Sequence, residues 1–251
     1  MIYVFKSFMF CLCFCVFRFF LFYATISLMD GLLLIDKPAG ITSFGVVARV
    51  RKAANTRRVG HAGTLDPFAT GLLIIGINKG TKMLTGLVGL DKTYEAVARL
   101  GATSTTDDPE GDVVERDATP PSREDIERTF DKFRGGYLQT APPFSAKKIG
   151  GKKLYDLARA GKMEGIELPQ KQVKITELDI TEYAWPVLKF RVSCSSGTYI
   201  RSLARDIGEA LGCGAYLTEL RRTRIGTYSI SDAITIDAMD ADAINRYLRA
   251  S

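Results

Sequence analysis

Histidine and cysteine are scarce in this chain of 251 residues. It has a single histidine, His61, and only two of its five cysteines, Cys194 and Cys213, lie after residue 28. These residues cannot supply the usual zinc set of four histidine and cysteine ligands, and they do not make a disulfide framework. We therefore expect no metal, and we expect a reducing compartment, the cytoplasm.

Motifs for nucleotide binding and for serine hydrolysis are also missing. The chain has no G-x-x-x-x-G-K-[ST] segment and no G-x-G-x-x-G after a strand pattern, so we expect no nucleotide cofactor. The serines of CSSG lack the G-x-S-x-G context, and a catalytic triad would have to use His61. The sequence thus argues against both of these enzyme classes.

The first 28 residues differ in composition from the rest of the chain. They include ten aromatic residues, three cysteines and only two charges, Lys6 and Arg18. A membrane helix needs about 20 uninterrupted apolar residues, but Arg18 splits this run, and the segment has no clear signal-peptide cleavage site. Because ordinary globular sequence begins at Met29, we interpret residues 1–28 as a non-native upstream extension, with a genuine anchor or signal as the alternative.

From residue 29 onward the hydrophobic pattern alternates between strand and helix. Residues 32–35 and 72–77 are apolar on both faces, which predicts buried strands. KTYEAVARL and VLKFRVSCS alternate with period two. Thr42 or Ser43 predicts the capped start of a helix that runs to about Ala54, and Ser122 with Asp125 predicts another. A further helix follows SSGTY, with one apolar stripe at positions 200, 203, 204, 207 and 211. These elements predict an α/β or α+β fold around one mixed sheet.

The segment GHAGTLDPFATG, residues 60–71, holds a carboxylate in an unusual setting. Asp66 precedes Pro67, which favours an extended backbone, and the flanking glycines permit positive φ angles and close approach of a ligand. Such a loop can hold one carboxylate rigidly in a cleft. The local sequence favours a plainer interpretation, in which Asp66 caps a helix and Pro67 begins it. His61, as a lone histidine, is likewise more typical of a structural residue.

Arg201 lies in the first turn of its predicted helix, where the helix dipole disfavours a cation. A fixed carboxylate would therefore stabilise it; Asp66 is one candidate, and Asp206 or solvent would serve as well. Tyr94 lies on the Ala/Leu face of its strand, which is typical of a core aromatic residue.

Basic residues recur in three clusters. Without Lys6 and Arg18 the net charge falls from +6 to +4. Singly, such clusters are typical of solvated faces, but together they are compatible with a phosphate-backbone partner. The clusters are Arg51, Lys52, Arg57 and Arg58; Lys147, Lys148, Lys152 and Lys153; and Arg221, Arg222 and Arg224.

Several of these stretches together resemble the TruB family of tRNA pseudouridine synthases, relatives of the dyskerin-type enzymes. The similar stretches cover about residues 30–235 and occur in the family's order. They are DKPAGITS, GHAGTLDPFATGLL, DKTYEAVARLG, APPFSAKKIGGKKLYDLARAG, CSSGTYIRSLARDIG and LRRTRIG. The combination of GTLDPxATG with a downstream GTYIRSLxxDIG is specific.

The resemblance implies a fold and a set of site residues. The fold is the pseudouridine synthase fold, a central mixed, mainly antiparallel sheet flanked by helices and loops that frame an RNA cleft. Asp66 would be the catalytic aspartate, Arg201 its partner, and Tyr94 the tyrosine that stacks on the target base. Four further residues would bind substrate or support the site: His61, Lys37, Pro38 and Tyr199. Residues 29–251 would form the catalytic domain, with the family's C-terminal RNA-binding domain absent or vestigial.

The implied activity is isomerisation of uridine 55 in the T-loop of tRNA to pseudouridine, by a monomer with an aspartate nucleophile. This reaction oxidises nothing and transfers no group between molecules, so one carboxylate suffices without a cofactor. Two alternatives stay open from sequence. One is the same chemistry on ribosomal or messenger RNA, and the other is a non-catalytic RNA-binding or tRNA-folding protein.

Overall fold

The computed structural model describes residues 29–249 except 146, 164 and 238. The predicted extension, residues 1–28, therefore lies outside the described residues. Within the described range, no helix is both long and apolar enough to cross a membrane.

Strands make up most of the regular structure. In chain order they are β1 (Gly31–Lys37), β2 (Val59–Ala62), β3 (Thr70–Ile77), β4 (Lys92–Leu100), β5 (Ala102–Ser104), β6 (Val113–Glu115), β7 (Gly135–Thr140), β8 (Lys148–Ile149), β9 (Lys152–Lys153), β10 (Gln170–Ala184), β11 (Val187–Cys194), β12 (Ala215–Ile225), β13 (Tyr228–Ser229) and β14 (Ile234–Thr235). The helices are α1 (Ser43–Ala53), α2 (Leu84–Val88), α3 (Arg123–Asp131), α4 (Leu154–Arg159), α5 (Ile200–Ala210) and α6 (Ala241–Tyr247).

Ten strands form one sheet, in the order β14-β1-β3-β12-β4-β11-β10-β7, with β2 added to β3 and β13 to β12. Neighbours are antiparallel except for two pairs, β1 with β14 and β3 with β12, which are parallel. The predicted mixed, mainly antiparallel sheet is thus confirmed. The parallel pair β3 and β12 joins the two halves of the sheet at its centre.

The predicted helix starts are confirmed in their capping chemistry. Thr42 caps α1, and its hydroxyl accepts a hydrogen bond from the Gly45 amide at 2.9 Å. Ser122 and Asp125 form a capping box at α3, in which each side chain accepts from the other's backbone amide. Helix α5 packs its predicted apolar stripe on β12 and β4.

The sequence did not predict strands β10 and β12, and it predicted a helix start at Asp66 that the structure does not have. Strand β10 carries two register shifts and β12 carries two more, and these irregularities interrupt the period-two pattern that would have revealed the strands. The predicted helix start at Asp66 is wrong, because residues 63–69 form a loop without a helix. Pro67 instead follows Asp66 into a tight turn.

The hydrophobic core has two large parts, one in each half of the sheet. The first packs α3 and α5 against β4, β10, β11 and β12. The second packs α1 and α6 against β1 and β3. The loop of residues 63–69 connects β2 to β3 and carries Leu65 and Ala69 into the first core. The core therefore fixes both flanks of Asp66.

Candidate active site

Asp66 and Arg201 are in direct contact through two hydrogen bonds. Arg201 donates from Nε to Oδ2 of Asp66 at 2.9 Å and from Nη2 to Oδ1 at 3.3 Å. Arg201 is buried, with a side chain 4% exposed, whereas the Asp66 side chain is 35% exposed. A bidentate pair of this kind fixes the plane of the carboxylate. The Asp66 carboxylate is therefore partly accessible to solvent, while a buried guanidinium holds it in place.

Arg201 is further enclosed by the turn after β5 and by the segment before β8. It donates from Nη1 to the Thr106 carbonyl oxygen at 2.9 Å and from Nη2 to the Phe144 carbonyl oxygen at 3.0 Å. Its Nη1 also lies 3.2 Å from the buried carboxylate of Asp108. Arg201 thus has two carboxylate partners, which explains how a cation is stable in the first turn of α5.

The partners of Arg201 were only partly foreseen. Asp66 was one of the candidates, and Asp206 was another, but Asp206 pairs with the neighbouring Arg205 at 2.9 Å. Asp108 was missed. The only signal in the sequence was a polar turn, TTDDPEG, whose acidic residues looked like ordinary turn chemistry.

The turn at Asp66 is fixed by main-chain and side-chain hydrogen bonds. The Asp66 carbonyl accepts from the Ala69 amide at 3.2 Å. The Ser43 hydroxyl bridges both polar groups of Leu65, accepting from its amide at 2.8 Å and donating to its carbonyl at 3.1 Å. Ser43 belongs to α1, so the helix holds the residue immediately before Asp66.

Lys37 is completely buried and secures the other side of the turn. Its Nζ donates to the carbonyl oxygens of Pro38 at 2.9 Å, Ile41 at 2.8 Å and Pro67 at 3.1 Å. The Pro67 carbonyl also accepts from the Gly40 amide at 2.9 Å. Burial lowers the pKa of Lys37 to about 8. Lys37 therefore holds the turn through main-chain carbonyls, and the supporting role that the family resemblance implies for Lys37 and Pro38 stays a prediction.

Tyr94 lies on β4 and is buried, only 7% exposed, in the same core as Leu65. Its direct neighbours across the sheet are Val192 on β11 and Arg222 on β12. Burial raises the pKa of the Tyr94 hydroxyl, and the charge of Arg222 partly opposes that rise. The core position expected from the strand pattern is confirmed, and its stacking role stays a prediction.

His61 and Tyr199 are both half-buried. His61 lies on β2, opposite Ile75 of β3, and burial followed by the charge of Arg222 lowers its pKa, so the ring is mainly neutral at pH 7. Tyr199 is the N-cap residue of α5, and Gln139 bonds both its amide, at 2.8 Å, and its carbonyl, at 3.0 Å. The structure thus brings Asp66, Arg201, Lys37 and Tyr199 to one place, with His61 on the strand that enters the Asp66 loop.

The basic clusters are corrected at one position. Arg222, expected on a solvated face, is 1% exposed, because its guanidinium reaches main-chain carbonyls inside the protein. Arg57, Arg58 and Arg224 are exposed as expected. The side chains of Lys148, Lys152 and Lys153 lie outside the described part.

Within the described part of the chain, no group of three or more histidine, cysteine, aspartate or glutamate side chains is placed to hold a metal ion.

Comparison with known families places these residues in context. Residues 51–200 match the TruB family pseudouridylate synthase N-terminal domain. Residues 201–250 match the tRNA pseudouridylate synthase B C-terminal domain.

Two bacterial proteins illustrate the similarity in sequence. The tRNA pseudouridine synthase B of Thermobifida fusca (strain YX) is 47% identical over 222 residues, which cover 85% of this chain and 75% of that protein. The tRNA pseudouridine synthase B of Chlamydia abortus is 46% identical over 226 residues, covering 88% of this chain and 94% of that protein.

Two solved structures illustrate the similarity in fold. A Cbf5-Nop10-Gar1 complex matches with a TM-score of 0.67 and 30% identity, and an H/ACA RNP bound to a substrate RNA containing 2'-deoxyuridine matches with 0.65 and 28%. The alignments cover 87% and 90% of this chain. In both cases this chain spans 55% of the length of the chain that it matches.

Proposed function

The chain belongs to the TruB family of pseudouridine synthases, and from that premise we propose that it isomerises uridine 55 in the T-loop of tRNA to pseudouridine, with Asp66 as nucleophile. The reaction breaks the bond between N1 of uracil and C1′ of ribose, turns the base, and joins C5 to C1′. The C5 proton leaves and N1 gains one, so substrate and product have the same composition. The enzyme is therefore an isomerase.

One observation carries the proposal: a partly exposed carboxylate that a buried guanidinium holds in a fixed plane. Asp66 accepts two hydrogen bonds from Arg201 while 35% of its side chain stays accessible. A protein that only binds RNA gains nothing from this carboxylate, because an anion repels the phosphate backbone. A nucleophile needs access to the substrate and a fixed orientation toward it, and the Asp66 carboxylate has both.

The carboxylate has three chemical routes to the product. It can add to C6 of the base, attack C1′ of the ribose, or assist an elimination to a glycal. In each route the base separates from C1′ and must be held while it turns. Tyr94, which is buried beside the Asp66 loop, is the residue we assign to hold the base by stacking. Such stacking contributes about 1–3 kcal/mol per base.

The target uridine must leave the stacked T-loop before it can reach Asp66. Extruding a base costs a few kcal/mol, and we assign His61 to hold the RNA loop in the opened state. Its imidazole is mainly neutral at pH 7, so it acts through hydrogen bonding and packing rather than charge. The exposed Arg57 and Arg58, which lie just before His61 in sequence, would contact phosphates.

We further propose that the protein acts as a monomer in the cytoplasm. All of the groups assigned to the reaction lie in one chain, and Asp66 and Arg201 complete their contacts without a second copy. Size-exclusion chromatography with light scattering tests this point, and a stable dimer would contradict it.

The substrate assignment is tested with RNA transcripts that differ at one position. A tRNA transcript with uridine 55 is incubated with the protein, and pseudouridine is mapped by carbodiimide modification and primer extension. A matched transcript carries cytidine at position 55, and a ribosomal RNA fragment serves as the third substrate. We expect product only at position 55 of the first transcript. Product on the ribosomal fragment alone would contradict the tRNA assignment.

A further inference from the structure

Arg222 is a buried arginine that lies between β3, the strand that follows the Asp66 loop, and β4, the strand that carries Tyr94. On β12 it is paired with Gly71 of β3 on one side and with Tyr94 of β4 on the other. It is 1% exposed. A cation buried to this extent is unfavourable unless its hydrogen bonds are satisfied. The hydrogen-bond partners of Arg222 therefore show how its buried charge is stabilised.

The guanidinium of Arg222 bonds both ends of the loop that carries Asp66. It donates from Nη2 to the Gly63 carbonyl at 3.1 Å and from Nη1 to the Thr64 carbonyl at 3.4 Å, before Asp66 in sequence. It donates from Nε to the Leu72 carbonyl at 2.8 Å, after Asp66. One side chain thus closes the loop across its base.

The backbone geometry shows that this contact is tightly packed. Gly71 adopts φ +103°, and a Cβ atom there would lie 2.3 Å from the carbonyl oxygen of Arg222. A Cβ atom at this position would clash with the backbone of β12, so β3 lies close to β12 just after the loop. Gly63, at the start of the loop, has φ +81°, and a Cβ there would lie 3.7 Å from Nη1 of Arg222.

We propose that Arg222 is a positioning residue for the isomerisation, which acts by clamping both ends of the Asp66 loop and so fixes the carboxylate relative to Tyr94. Its hydrogen bonds go to main-chain carbonyls of the loop and of β3, so it acts on the reaction through the loop. The inference rests on the proposed function, because it assigns Arg222 to the same site. A displacement of about 1 Å at a reacting group costs about a hundredfold in rate, so a clamp of this kind acts on turnover more than on RNA binding.

The first test compares Arg222→Lys with Arg134→Lys. Lysine keeps the charge but cannot reach both ends of the loop, since it lacks the guanidinium fork. Arg134 is a matched control because its guanidinium also donates to a main-chain carbonyl of another element, that of Leu178 at 3.0 Å, away from the site. We measure the single-turnover rate of pseudouridine formation and the dissociation constant for tRNA.

We expect Arg222→Lys to lower the single-turnover rate by about a hundredfold while the dissociation constant changes by less than about threefold. Arg134→Lys should leave both unchanged. Hydrogen exchange adds a readout independent of activity: amides of residues 63–72 should exchange faster in Arg222→Lys than in the wild type. A folded Arg222→Lys protein with the wild-type rate would overturn the proposal, as would a loss that lies wholly in tRNA affinity.

If the Arg222→Lys protein does not fold, the Gly63→Ala variant provides the test of the clamp. An alanine at φ +81° strains the first anchor of the loop without removing a buried charge. Gly135→Ala is the matched control, because Gly135 has φ +89° and nothing within 4 Å of its Cβ position. We expect a slower turnover for Gly63→Ala alone; equal rates for the two variants would overturn the clamp.

The two proposals fail in different ways. If the wild-type protein forms no pseudouridine on any RNA, the proposed function is wrong, and the exchange of residues 63–72 still tests the clamp. If the wild type is active and Arg222→Lys matches it in rate, only the clamp is wrong.

Discussion

Asp108 and Arg201 form an ion pair with 3.2 Å between Oδ2 and Nη1, and neither side chain is more than 5% exposed. Asp66 binds the other edge of the same guanidinium, through Nε and Nη2. Arg201 therefore links the buried carboxylate of Asp108 to the accessible carboxylate of Asp66, so a shift of one should move the other. The consequence is that Asp108, which does not face solvent, should matter for the chemistry at Asp66.

We expect Asp108→Asn to lower the rate of pseudouridine formation by about ten- to a hundredfold, because Arg201 loses one partner and shifts against Asp66. The affinity for tRNA should change little. The measurement is single-turnover kinetics with filter binding on the same transcript. Asp112→Asn is the control, because Asp112 lies in the same turn but is exposed. Equal rates for Asp108→Asn and Asp112→Asn would contradict the coupling.

Arg205 and Asp107 form a second ion pair one helical turn further along α5, at 2.9 Å, with side chains 24% and 9% exposed. We expect Asp107→Asn and Arg205→Gln each to lower the free energy of unfolding by about 1–3 kcal/mol. The double variant should lose less than the two single losses together, with a coupling of about 1 kcal/mol.

Urea unfolding of the four proteins measures this coupling. The exposed pair of Lys189 and Glu182, at 2.7 Å with side chains 43% and 58% exposed, provides the comparison. Its coupling should be smaller, because solvent screens exposed pairs. Additive effects at Arg205 and Asp107 would show that the pair does not stabilise the fold.

The pKa of Lys37, lowered from 10.5 to about 8, predicts how stability depends on pH. Between these values the unfolded chain binds more protons at Lys37 than the folded protein does, so its contribution to stability rises with pH. It is least favourable below pH 8 and improves up to about pH 10.5. From pH 7.5 to 9.5 we expect a gain of about 2 kcal/mol.

Lys37→Met isolates this effect. The difference in unfolding free energy between wild type and variant, measured with urea at the two pH values, should grow in favour of the wild type. A difference that stays constant, or that shrinks with rising pH, would show that Lys37 is not the group that titrates.

Gly71→Ala should destabilise the protein strongly, because its Cβ would lie 2.3 Å from the Arg222 carbonyl oxygen. The expected loss exceeds the cost of positive φ alone, which is about 1–2 kcal/mol. Gly212→Ala measures that cost, since Gly212 has φ +76° and nothing within 4 Å of its Cβ position. Equal melting temperatures for the two variants would mean that β3 can move away from β12 at no cost.

Much of the fold was predictable from local pattern. Strands β1 and β3 are continuous apolar runs, and strands β4 and β11 alternate with period two. The capping residues Thr42 and Ser122 mark helix starts. Strands β10 and β12 were not predicted, because register shifts interrupt the period-two alternation of their hydrophobic residues. Local propensity also misled at Asp66, where tertiary contacts hold a loop in place of the helix that Asp-Pro favours.

Site residues could be predicted from the sequence where their local sequence context was informative or where their motif resembled that of the family. The position of Arg201 in a first helical turn indicated that it needs a carboxylate, but not which one. The contributions of Asp108 and Arg222 depend on contacts between segments far apart in sequence. The segments TTDDPEG and LRRTRIG contain no local signal that distinguishes the buried Asp108 and Arg222 from their exposed charged neighbours.

The central claim, that the Asp66 carboxylate performs the isomerisation, is tested most directly by single-turnover assay of Asp66→Asn. Asparagine keeps the shape of the side chain and can still contact Arg201, but it removes the nucleophile. Glu115→Gln is the matched control, because Glu115 also accepts two hydrogen bonds from one arginine, Arg99, at 2.7 and 2.9 Å, away from the site. We predict no measurable pseudouridine at position 55 with Asp66→Asn, undiminished tRNA binding, and the wild-type rate with Glu115→Gln. Pseudouridine formation by Asp66→Asn at the wild-type rate would contradict the account.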